Sequence, residues 1–149
     1  MVNKKILLFM SGFLLMVTYI VFAQSGGYII SGEVLIYDVG DIYIYLADEE
    51  TAKTPMTGNK VIIIKDDSTN SGFRKVSFQF ENVEEGVYAI RCYQDVNGNK
   101  KMDKGLFGPT EPWWLSYQGE RHSRIPKFSD ISFRVESDIQ DIQINLENK

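Results

Sequence analysis

The chain has 149 residues, a formal charge of −4, one cysteine and one histidine. A single cysteine excludes an intramolecular disulfide framework, and a single histidine excludes a zinc site built on a His pair. The acidic balance, with lysines and arginines scattered along the chain, argues against the clustered basic surface that binds nucleic acid by counterion release.

Lys4 and Lys5 precede an uncharged apolar stretch over residues 6–22, and Val21 and Ala23 stand at the −3 and −1 positions before Gln24. This is the layout of a secretory signal peptide, with cleavage expected after Ala23. The alternative is a retained membrane anchor, since about 17 apolar residues lie near the lower limit for spanning a bilayer. Ser11, Gly12 and Thr18 weaken that alternative, and no cysteine follows the apolar run to take a lipid. The expected location is therefore periplasmic, secreted or at the cell surface. Contact with a membrane is expected only if the segment stays uncleaved. Residues 24–149 have the length of one ordinary domain, able to bury a core without covalent staples.

From residue 24 onward the chain alternates rather than cycling with helical period. Short apolar runs fall at 28–39, 41–47, 60–65, 75–80, 87–93, 131–135 and 139–146. In the fourth, Val76, Phe78 and Phe80 share one face, with Lys75, Ser77 and Gln79 on the other. Turn residues at 38–40, 57–59, 66–72 and 84–86 punctuate these runs. About seven strands predict an all-β, antiparallel, Ig-like or transthyretin-like sandwich. Tyr88, Ile90 and Cys92 fall on one strand face, which makes Cys92 a core residue rather than a nucleophile. From residue 95 to 130 alternation is weak, and three of the four prolines and both tryptophans gather there. The sandwich is thus expected to carry one long loop, and its aromatic content predicts that the loop is ordered.

That excursion opens on Asp95, Val96, Asn97, Gly98, Asn99, Lys100, Lys101, Met102, Asp103. Side-chain oxygens recur at every second residue and again at the ninth, the spacing at which alternate side chains and one carbonyl converge on a hard cation. Asp95, Asn97, Asn99, Asp103 and the Lys101 carbonyl are the candidate calcium ligands; no other cofactor is expected. Lys100 stands where the sharp turn takes glycine, Leu106 stands where a bidentate glutamate is usual, and Glu111 is a candidate for the missing carboxylate. Affinity of order 10⁻⁴ to 10⁻³ M, the range of extracellular modules, is expected. The competing expectation is an Asn-Gly turn whose side chains cap their own backbone.

Pro112 leads into Trp113 and Trp114, with Tyr117 three residues on. Adjacent indoles in an extended segment cannot both face one core, so one is expected outward. These three aromatics are candidates for stacking on a sugar ring or anchoring a partner. The competing expectation is an apolar lid over one end of the sandwich. His122 lies in a polar stretch with no acid at useful spacing, and no phosphate cradle or nucleophile elbow occurs. The chain is therefore expected not to be an enzyme.

Gly86, Tyr88 and Ala89, then Asp95, Asn97, Asn99 and Asp103, then Phe107, Gly108, Pro109 and Glu111, then Pro126, Phe128, Asp130 and Phe133 form an ordered series. The series resembles an uncharacterised family of exported bacterial domains with the pattern GxYA, HDxNxNGxxD, FGxPxE, PxFxDAxF. The resemblance implies a transthyretin-like sandwich and a shared Asp95 loop, and supplies no function. Gln94 replaces the family His, Lys100 the Gly and Ile131 the Ala. One residue is missing between Gly108 and Pro109, and the tryptophan pair replaces a Gly-aromatic-Gly run. The combined expectation is an exported, non-catalytic binding or structural module, meeting a protein or glycan of the cell envelope. Its alternatives are a carbohydrate-binding module and an accessory subunit of an envelope complex.

Overall fold

The computed structural model describes residues 26–116 and 126–147. The expected export segment, Tyr117 and His122 lie outside the described residues. In chain order the elements are β1 (Tyr28–Ile36), β2 (Asp41–Ala47), a 3-10 turn (Thr51–Lys53), β3 (Lys60–Ile64), β4 (Arg74–Val83) and β5 (Gly86–Asp95). They continue with β6 (Lys104–Gly105), β7 (Gly108–Pro109), β8 (Trp113–Leu115), α1 (Phe128–Ile131), β9 (Phe133–Val135) and β10 (Ile139–Asn145).

Two sheets enclose the main core. One has the order β10-β1-β4; the other runs β3-β2-β5-β8, with β9 also paired to β5. β9 pairs with Gly86, Val87 and Tyr88, and β8 with Arg91, Cys92 and Tyr93, so the two short strands share one edge of β5 end to end. Alternation decides which side chains enter the core. Ile42, Ile44 and Leu46 of β2 meet Ile90 and Cys92 of β5 on the inner face, opposite Ile30, Val34, Ile36, Phe78, Phe80 and Ile144 of the other sheet. Each fully buried aliphatic side chain contributes about 2 kcal/mol against exposure to water. Cys92 is a buried core residue, as its place in the alternation predicts, and burial pushes its thiol pKa far up. Among the described residues no helix is long and apolar enough to cross a membrane.

Three expectations need correction. The seven expected segments each supply a strand, but the described residues hold ten, because the excursion after Asp95 folds into the β6-β7 hairpin, β8 and α1 instead of one long loop. Ile131, expected to begin a strand, ends α1; its side chain is buried with Ala89 and Leu115 in a second apolar cluster. Nor is the sandwich wholly antiparallel, since β1 pairs β10 in parallel. That pairing carries a bulge: Ile30 faces Ile139 and Gly32 faces Ile142, so β10 has one residue more, with Asp141 at φ 61°. A Cβ on Gly32 would lie 2.0 Å from the Ile142 carbonyl oxygen, so only glycine fits.

Candidate functional site

At the end of the sandwich where β5 leaves the sheet, the chain is held from three sides. Gln94 is fully buried, and its Nε2 donates to the Asp38 carbonyl at 2.6 Å and the Gly40 carbonyl at 3.3 Å. Gly40 adopts φ 141°, and a Cβ there would lie 2.2 Å from the Asp95 carbonyl oxygen, so glycine lets the β1-β2 turn close against the start of the loop. Asp66 accepts from the Gly40 N–H and from the Arg74 guanidinium, both at 2.9 Å, and the neighbouring Asp41 pairs with Lys65. Hydrogen bonds to Ser68 and Gly40 and the Arg74 charge hold the Asp66 carboxyl below the usual range against the opposing effect of burial.

The loop itself winds around Asp95, whose side chain is 1% exposed. Its two carboxylate oxygens accept the Asn99 N–H at 3.1 Å and the Lys100 N–H at 2.7 Å. The Asn97 Oδ1 accepts the Asn99 N–H at 3.1 Å, and the Asn99 Oδ1 accepts the Lys101 N–H at 2.8 Å. The side chains at every second position therefore turn back onto the backbone two to five residues ahead. Lys100 takes φ 63°, a left-handed conformation in which a side chain is strained. Asp103 Oδ2 accepts both amide groups, Asn97 Nδ2 at 2.6 Å and Asn99 Nδ2 at 2.9 Å. Asp95, Asn97, Asn99, Lys101 and Asp103 thus belong to one wound loop, and the capping bonds expected of an Asx-rich turn are present in it.

Glu111 closes the base. It is 4% exposed, its Oε1 accepts the Val96 N–H and its Oε2 the Asp103 N–H, each at 3.1 Å. The Asp103 carbonyl in turn accepts the Thr110 N–H at 3.0 Å, and the Pro112 carbonyl the Gln94 N–H at 3.0 Å. Burial pushes the Glu111 carboxyl up, its two backbone hydrogen bonds pull it down, and the nearby Asp95 and Asp103 charges push it up further; the balance is upward. No described lysine or arginine forms an ion pair with Asp95, Asp103 or Glu111. Among the described residues no three His, Cys, Asp or Glu side chains gather closely enough to hold a metal ion by themselves. A cation in this loop therefore needs the two asparagine oxygens and the Lys101 carbonyl as well. These are all hard oxygen donors of the kind calcium takes, and binding requires Asn97 and Asn99 to turn their oxygens toward Asp103.

The indoles do not form one platform. Trp113 lies opposite Tyr93 and Trp114 opposite Cys92, on the two faces of β8. Trp114 packs on the main core and Trp113 on the second cluster, both half-buried, so neither takes the fully outward position expected of one of them.

Two anchoring residues carry no signal in the sequence. Arg91 is 7% exposed, and its guanidinium donates to the carbonyls of Thr51, Ala52, Thr54 and Thr57, pinning the 3-10 turn and the segment after it across the outer face of the sheet. Ser116 accepts the Ile90 N–H at 2.8 Å and donates to the Ile131 carbonyl at 2.6 Å, tying α1 to β5 between β8 and β9. Both are single polar residues, Arg91 within β5 and Ser116 just past β8, and only the tertiary fold brings their partners near. Glu111 was legible through its place in the Phe107 to Glu111 motif, although its oxygens hold backbone donors.

An all-β domain of two packed sheets, with a carboxylate-braced loop at one end, is the class that this fold and site define. The chain belongs to a bacterial family described as "uncharacterized protein conserved in bacteria" (DUF2141), whose pattern matches residues 34–143. Neither a curated protein nor a solved structure matches it.

Proposed function

We propose that this is an exported, non-catalytic β-sandwich module whose Asp95 loop is stabilised by calcium, and that it serves the cell envelope as a binding or structural unit. The supporting observation is the gathering of Asp95, Asp103 and Glu111, two of them buried, around one loop with no lysine or arginine paired to them among the described residues. Clustered carboxylates without an ion-paired cation repel one another, and a divalent cation relieves that repulsion. Export is supported by the order of charge, apolar run and small residues at the N-terminus.

Binding to the folded state alone raises stability with cation concentration. Millimolar calcium is expected to raise the melting temperature, magnesium to raise it less, and Asp95→Ala to abolish the rise. Superimposable melts in calcium and in chelator would remove the cation from this reading and leave the loop as a self-capped turn.

A further inference from the structure

We propose that the β6-β7 hairpin is a membrane-docking finger that sets two apolar side chains into the interface of an anionic lipid bilayer. Lys104 pairs with Pro109 and Gly105 with Gly108, so Leu106 and Phe107 form a two-residue turn at the tip. Two-residue hairpin turns favour Asn, Asp or Gly because the primed turns need positive φ, and neither Leu106 nor Phe107 takes one. Here Leu106 is 97% exposed and Phe107 104%, whereas the next most exposed large apolar residue, Phe73, is 58% exposed. These two side chains contribute nothing to the core. The hairpin that carries them is rooted by the Asp103 carbonyl and by Glu111, so it projects from a braced base.

The charge around the tip selects the occupant. Lys100, Lys101 and Lys104 are exposed, and none forms an ion pair among the described residues. The acids at the base of the hairpin are turned to internal work: Asp95 and Glu111 are buried, and Asp103 accepts two amide groups. Over residues 96–110 the formal charge is therefore +2, three lysines against Asp103, on a chain that is acidic as a whole. Aromatic and aliphatic groups beside lysines are the combination that enters the headgroup region of anionic membranes. A purely apolar protein pocket would accept the pair but gives no reason for the three unpaired lysines. The docking surface does not depend on a cation in the neighbouring loop.

Cys92 is buried, so a cysteine placed by Leu106→Cys in the full chain takes a polarity-sensitive fluorophore selectively. The label reports on the tip itself, whatever the N-terminal segment does. With vesicles of equal parts phosphatidylglycerol and phosphatidylcholine, the emission is expected to brighten and shift to the blue. With phosphatidylcholine alone or in high salt it is expected to stay near its value in buffer. Adding Phe107→Ser should weaken the response about tenfold, and each Lys→Gln change at 100, 101 or 104 about fivefold. Unchanged emission on anionic vesicles would overturn the proposal and assign the finger to a protein contact. An equal response to neutral and anionic vesicles, or one indifferent to Phe107→Ser, would overturn it as well.

Discussion

Asp95→Ala tests how the candidate loop is held, in calcium-free buffer. The substitution removes a buried carboxylate that accepts two backbone N–H groups. The Asn99 N–H keeps its second acceptor, the Asn97 Oδ1 at 3.1 Å, so only the Lys100 N–H loses its partner. A hydrogen bond to a charged acceptor contributes roughly 1.5–3 kcal/mol, and the exposed position of Lys100 lets water replace part of it. Removing the Asp95 charge also relieves Glu111, which that charge disfavours in its ionised form. The net cost is therefore expected at about 1–2 kcal/mol, the lost charge-assisted hydrogen bond less what water and the relieved repulsion return. Urea denaturation gives the first quantity, and NMR titration of the Glu111 carboxyl gives the second, which should move down toward its ordinary value. A stability change below about 0.5 kcal/mol, or an unmoved Glu111 titration, would refute the account of Asp95 as the hub of the loop.

Acidification provides a second check. Because the folded-state pKa of Glu111 lies above its ordinary value of 4.5, the folded protein binds more protons than the unfolded chain just above that pH, and stability rises as pH falls through that window. Asp41, Asp48 and Asp66 are shifted below 3.8, so their contribution is present above that value and is lost only as pH falls further. A calcium-free stability profile should therefore peak in mild acid, and Glu111→Gln should flatten its neutral side. Lys100→Gly should stabilise the protein by about 1 kcal/mol in thermal melts, since glycine takes the left-handed φ of 63° without a Cβ clash. Gly32→Ala should destabilise by more than about 2 kcal/mol in the same assay, because its Cβ meets a backbone carbonyl that cannot move without breaking the β1-β10 bulge.

Period-two alternation suffices to locate β1 to β5 and β10, since residues such as Val76, Phe78 and Phe80 can satisfy one buried face only as a strand. The same signal fails for β6, β7 and β8, which are two or three residues long, too short for a period to repeat. The Asp95 loop was legible because its oxygen donors follow a local spacing, and its winding closes through bonds between near neighbours. The packing of the tryptophan pair was half legible. Opposite faces follow from adjacency, but that each face has its own apolar cluster depends on α1 returning beside β5.

What the amino-acid order decided alone is therefore local: the strand-forming runs, the inward side of Cys92, and the Asx turn at residues 95–103. Tertiary structure alone decided the parallel seat of β10 on β1, the carbonyl cage around Arg91, and the closure of the loop base by Glu111. Local features depend on torsions and contacts within a few residues. The others join groups from 8 to more than 100 residues apart, whose meeting is selected by burial of the whole core.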